Sequence, residues 1–189
     1  MKKLHLLSGM IVLSAIASLN AMETNRPASW KKVDQALGQG DWQAIFATLD
    51  RERIDANEYR DRMGISLLFF AASSSLNSLP AVKTLLEKYH VDPNAQMSNA
   101  GHYTGWTALE TACAGDNLEI VKLLLKYGAN PYLKDSYGNN SFTYAERHPI
   151  VDEDGFTQVV RHSEMLKLLQ QYSGSKQTIN ITNKNFTRK

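Results

Sequence analysis

The 189-residue sequence holds one cysteine, Cys113, so no disulfide can form within the chain and its apolar core alone must hold the fold. It lacks a comfortable membrane span as well. The compact apolar run from Leu6 to Leu19 falls short of the roughly 20 residues that a helix needs to cross a bilayer. An excess of either charge is missing: 21 Lys and Arg stand against 19 Asp and Glu. No serine–histidine–acid arrangement, phosphate-cradling glycine loop or zinc-ligand spacing is present, which removes the usual signatures of hydrolytic, nucleotide and zinc chemistry.

What is present begins with an N-terminal leader. Lys2 and Lys3, the Leu6–Leu19 run, and Asn20-Ala21 before polar sequence form the charged, apolar and small-residue regions of a secretory signal peptide over residues 1–21. Ala15-Ile16-Ala17 fits the small-x-small cleavage rule, whereas Ala21 sits better at the apolar–polar boundary; an uncleaved anchor is the alternative. Cleavage would remove two lysines and no acid, leaving 19 basic and 19 acidic residues. A neutral mature chain gives no electrostatic reason to expect nucleic acid as a partner. The expected destination is therefore export, to the periplasm or the outside of the cell, with no membrane association once the leader is cut.

The rest of the chain is repetitive. "DRMGISLLFFAA" (Asp61–Ala72), "HYTGWTALETAC" (His102–Cys113) and "DSYGNNSFTYAE" (Asp135–Glu146) align on Gly64, Gly105 and Gly138, which lie 41 and 33 residues apart. The middle unit shows the local physics best. Thr107 and Glu110 have the spacing of a capping box, a short helix runs to Gly115, and Asp116 is available to cap a second helix. In that helix Leu118, Val121, Leu124 and Leu125 recur on one face. Gly128 and Pro131 then end it. Such units cannot bury their apolar faces alone and must stack.

"GWTALETACAGDNLEIVKLLLKYGANP" (Gly105–Pro131) resembles the ankyrin repeat family over its whole length, with Ala108 in place of the family's proline, Glu110 of its histidine and Cys113 of its second alanine. The neighbouring units are in register through Ala71-Ala72 and Ala145, and a degenerate unit with Ala36, Gly40-Asp41, Ile45 and Leu49 precedes them. The resemblance implies an all-α solenoid of three to four helix-turn-helix units with short hairpin-like loops. The expected organisation is a linker over 22–29 and a repeat domain over 30–172, followed by a disordered polar tail over 173–189. Within the domain, residues 30–60 form a capping unit, where Lys31, Lys32, Asp34, Gln35 and Gln39 would meet water. Units over 61–101, 102–134 and 135–172 follow, the last carrying an insertion over 147–162.

The resemblance further implies a non-enzymatic, monomeric module, without cofactor, that binds a protein partner through its hairpin tips and concave face. Position by position, the contact residues are Arg62, Met63 and Ile65, then Tyr103, Thr104 and Trp106, then Ser136, Tyr137 and Asn139. Aromatic side chains at turns either anchor a partner or pack sideways to stiffen a long junction. Cys113 stands at a small packing position rather than in a reactive setting. The rival reading places an enzymatic or metal-dependent site in the insertion. There, two β-prone runs flank Asp154-Gly155 as in a small hairpin, and His148, Asp152, Glu153, Asp154 and His162 gather. The acids lack the spacing of a calcium loop, and two histidines 14 residues apart are a weak zinc pattern, so no metal is expected. The four basic residues of the tail and its two Asn-x-Thr triplets carry no assignment.

Overall fold

Most helices begin where the sequence supplies a side chain to receive their first free amides. The computed structural model describes residues 27–73, 78–98, 104–146, 148–151, 157–160 and 164–172. The leader over 1–21 and the tail over 173–189 lie outside these residues, as do Tyr103 and the side chains of the insertion. Helix α1 (Ala28–Gln39) leads through Gly40 to α2 (Trp42–Glu52), opened by Asp41, whose carboxylate accepts the Ala44 N–H at 2.9 Å. Ser66 Oγ receives the Phe69 N–H at 3.3 Å at the head of α3 (Leu67–Ser73), and α4 covers Ser78–Glu87.

Helix α5 (Ala108–Ala114) has the reciprocal capping box that its sequence implies. Thr107 Oγ1 accepts the Glu110 N–H at 3.2 Å, and Glu110 Oε2 accepts the Thr107 N–H at 2.6 Å. The cap of α6 (Leu118–Lys126) differs from expectation by one residue. Asn117, not Asp116, accepts the Ile120 N–H, at 3.1 Å. Asp116 instead takes the left-handed conformation, φ 54°, that turns the chain between the two helices. Asn140 opens α7 (Ser141–Glu146) by accepting from Phe142 and Thr143. Strands β1 (His148–Val151) and β2 (Thr157–Val160) then pair antiparallel, His148 opposite Val160, and a final helix, α8, covers residues 164–172.

The chain forms two compact units that divide between Asp55 and Ala56. In the first, Val33 and Ala36 of α1 and Ile45 and Leu49 of α2 are buried, while Lys31, Lys32, Gln35 and Gln39 are exposed. In the second, the leading helices α3, α5 and α7 lie side by side and α4 lies beside α6. Ala71 and Ala72, Ala112 and Cys113, and Ala145 keep the leading helices thin where they meet, and all are buried. Leu85, Leu109, Leu124 and Leu125 are fully enclosed, each worth about 1.5–3 kcal/mol relative to exposure. The architecture is all-α, stacked helix-turn-helix units with a two-stranded ribbon in the insertion. No helix among the described residues is long and apolar enough to cross a membrane.

The junctions between units are not hairpins, and binding through hairpin tips is overturned on that account. Asp61 Oδ1 accepts the N–H groups of Met63 and Ile65 at 2.8 and 2.7 Å; Asp135 Oδ1 does the same for Tyr137 and Asn139 at 2.8 and 2.9 Å. Each carboxylate takes the donors that a strand ladder would need and curls the chain into the next helix within a few residues. Two backbone bonds close each turn: Asp61 N–H donates to Ile65 O and Asp135 N–H to Asn139 O, both at 2.9 Å, while the Gly64 and Gly138 N–H groups donate to Asp61 O and Asp135 O at 3.2 and 3.1 Å. In the longer middle junction Met97 stands in the aspartate's place, donating to Trp106 O at 2.9 Å. The only paired strands among the described residues are β1 and β2 of the insertion.

Candidate functional site

Neighbouring units are tied by a recurring asparagine. Asn57 Oδ1 accepts the Asp92 N–H at 2.8 Å while its amide donates to His90 O at 3.4 Å. Asn94 repeats this one unit later, accepting the Asn130 N–H at 2.7 Å and donating to Gly128 O at 3.2 Å. His90 and Gly128, which follow α4 and α6, are both left-handed, so each bracket grips the same turn in successive units. Gln96 adds a clamp across the junctions, donating to Gly105 O at 2.7 Å and to Lys134 O at 2.9 Å. These ties hold the leading helices as a fixed platform.

On that platform Phe70 of α3 and Tyr144 of α7 occupy equivalent helix positions, and Trp106 lies at the head of α5; all three are half-buried. Phe70 and Trp106 pack against the buried trio Ile65, Phe69 and Met97. The Trp106 and Tyr144 rings lie 4.2 Å apart, tilted by 50°. The Tyr144 hydroxyl donates to Asp135 Oδ2, which Asn139 Nδ2 also approaches at 3.4 Å. The aromatic row thus rests on a polar base.

The charges of that base follow from burial. Glu110 is 1% exposed, and loss of hydration pushes its carboxyl up to about 7. The Thr107 N–H and hydroxyl partly offset that rise, and the Asp135 charge adds to it. Burial acts the same way on Asp135, but bonds from Tyr144, Asn139 and Tyr137 outweigh it and hold its carboxyl below the ordinary value. Burial, then the Asp135 carboxylate, raises Tyr144 well above an ordinary phenol. Cys113 is fully enclosed and its thiol is pushed far up by burial, so no thiolate is offered. Among the described residues no group of three His, Cys, Asp or Glu side chains is placed to hold a metal. The arrangement can present a rigid aromatic surface; it shows no nucleophile with a base.

The residues named from the sequence separate into three sets. Arg62, Met63, Ser136 and Tyr137 are exposed at the turns, Met63 by 54% and Tyr137 by 62%. Thr104, Trp106 and Asn139 are half-buried, and Asn139 spends its side-chain amide on Asp135. Ile65 is a correction: it is buried in the core because the turn folds it under α3, beside Phe69 and Met97. Phe70 and Tyr144 were missed. Their common signal was the equal spacing from Ser66 and Asn140, the residues that cap their helices.

The opposite face, between α4 and α6, carries an open groove of about 320 Å³ lined by Leu79, Lys83, Glu87, Glu119, Lys122, Leu123 and Lys126. Its charges largely answer one another. Lys122 pairs with Glu119 at 2.8 Å, Lys83 reaches Glu87 at 4.0 Å, and Tyr127 donates to Glu87 at 2.8 Å.

The stacked, asparagine-bracketed units agree with the comparison to known families. The model for ankyrin repeats (3 copies) matches residues 68–185. The chain belongs to the ankyrin-repeat family. It is 37% identical to the Ankyrin repeat and LEM domain-containing protein 1 homolog of Caenorhabditis elegans over 81 residues, covering 43% of this chain and 11% of that protein. It is 32% identical to the Ankyrin repeat and SAM domain-containing protein 6 of Rattus norvegicus over 129 residues, 66% of this chain and 14% of the relative. An ankyrin repeat protein of Acanthamoeba polyphaga mimivirus is 36% identical over 98 residues, 52% of this chain and 55% of that protein. The likeness therefore lies in ankyrin repeats and spans only a part of each relative.

Proposed function

We propose that this ankyrin-repeat chain is a non-catalytic scaffold that binds a protein partner on the face formed by its leading helices. The observation that carries this reading is the row of half-buried rings Phe70, Trp106 and Tyr144, drawn from successive units and fixed by caps and brackets. Aromatic groups that are already ordered lose little side-chain freedom when a partner docks, so more of the contact energy appears as affinity. The α4–α6 groove, with most of its charges paired internally, serves as the control surface.

A photo-crosslinking residue placed at Phe70 or Tyr144 is expected to join a protein from the producing cells, whereas the same residue at Lys83 or Lys122 is not. Equal yields from both faces, or yields from Lys83 and Lys122 alone, would sink the reading. We also propose export by the leader over residues 1–21. Mass spectrometry of the mature N-terminus checks it, and an intact Met1 in the fractionated protein argues against cleavage.

A further inference from the structure

The contact between the α5 unit and the α7 unit is bridged by the Trp106 and Tyr144 rings and encloses two acids. The Gly105 turn that leads into α5 rests on the next junction: a Cβ at Gly105 would come within 2.9 Å of Ser136 N and 3.0 Å of Asp135 Cα. The Ser136 N–H donates to Thr104 O at 3.1 Å and fixes that approach. Glu110 is 1% exposed and Asp135 6% exposed, so both carboxyls are buried where the two units meet.

Their partners are unequal. Asp135 accepts from the Tyr137 and Asn139 N–H groups, from Asn139 Nδ2 and from the Tyr144 hydroxyl, so both of its oxygens are served in the ionised form. Glu110 Oε2 accepts from the Thr107 N–H at 2.6 Å and from its hydroxyl at 3.1 Å. Glu110 Oε1 has no partner among the described residues, nor has Ser141 Oγ at the head of α7, although both atoms are buried. The elements around Glu110 bring it no counter-charge. Helix α3 carries no ionisable side chain. Helix α7 brings the Tyr144 phenol, and its Glu146 is exposed. Glu119, Lys122 and Lys126 of α6 line the groove on the opposite face. On α5 itself Cys113 is an enclosed thiol. The charge that acts on Glu110 is that of Asp135, which has the same sign. A neutral Glu110 suits this seam, whereas an ionised one leaves a charged oxygen buried without a donor, a state that entry of water relieves.

We propose that Glu110 is a proton-operated latch on the aromatic face: neutral, it keeps α7 against α5 and the Tyr144 ring on Trp106; ionised, it opens the seam to water and Tyr144 leaves Trp106. The side that yields is α7, a helix of six residues. The cap of α5 stays, because Thr107 serves the ionised carboxyl equally well. The latch rests on the reading of this face as a docking surface for its consequence alone, which is a face complete in mild acid and incomplete in mild base.

Fluorescence of the chain without a partner tests the latch. Trp30→Phe and Trp42→Phe, both in the first compact unit, leave Trp106 as the single indole. Its quenching by acrylamide should rise at least about twofold between about pH 6 and about pH 8, with a midpoint near 7, while circular dichroism keeps its helical signal. Glu110→Gln cannot ionise and should hold the low value throughout. Should that variant fail to fold, Asp135→Asn removes the like charge and should move the midpoint to lower pH. Flat quenching across this range overturns the latch, as does an unchanged rise in Glu110→Gln or an unmoved midpoint in Asp135→Asn. A rise that coincides with loss of the helical signal overturns it too, since the unit then unfolds as a whole. Equal crosslinking from both faces at about pH 6 would sink the docking reading and leave the latch standing.

Discussion

At the residue scale, Glu110 makes a measurable demand. A carboxyl whose folded pKa is raised from 4.5 to about 7 binds more protons in the folded chain than in the unfolded one between those values. Its contribution is therefore full below pH 4.5 and is lost as pH rises through about 7. The loss is of order 2–3 kcal/mol. Asp135 has the opposite sign: its stabilisation is present above its ordinary value of 3.8 and is lost as pH falls through its lower folded pKa. Melting should be highest between these limits, near pH 4, and fall as pH rises from about 4.5 to about 7. Glu110→Gln keeps a capping-box acceptor and should flatten that fall. A melting curve of the variant that still drops steeply from pH 5 to pH 8 would show that another group is responsible. The cap of Glu110 is legible in the sequence but its burial is not, because a capping box is local whereas burial depends on the helices packed beside α5.

At the element scale, the asparagine brackets hold one helix pair to the next. Asn94→Ala removes the acceptor for Asn130 N–H and the donor to Gly128 O, and should cost about 1–3 kcal/mol in urea unfolding. Asn94→Asp keeps the acceptor and loses the donor, so its midpoint should lie between the two. An unchanged midpoint for both would mean that packing alone ties the units. The helices themselves were legible, since Thr107 and Gly128 announce their ends within a few residues. The junctions were less so. The family resemblance implies hairpin-like loops at the junctions, and a glycine turn between helices has no periodicity to separate a ladder from a side-chain-closed turn. Only the hydrogen bonds to the Asp61 and Asp135 carboxylates separate the two.

At the scale of the whole molecule, the single cysteine is a reporter of opening. Cys113 is fully enclosed between helices, with its thiol pushed far above the ordinary range by burial. Its labelling by a maleimide should be at least about a hundredfold slower than that of a free thiol and should follow unfolding as urea is added. Labelling at the free-thiol rate in native conditions would contradict its position in the stack.

The sequence by itself determined the repeat, its register and its caps, because these depend on residues within one turn of each other. It also determined that Cys113 is small and apolar in role. Only the tertiary structure decided which residues meet across units. It sent Ile65 into the core and left Asn139, at the same position of its own turn, half-buried with its amide on Asp135. It brought Trp106 onto Tyr144, and it buried one carboxylate while satisfying another. These outcomes depend on what the next unit lays against each turn, and that neighbour lies some 33 residues away, beyond the reach of any local pattern.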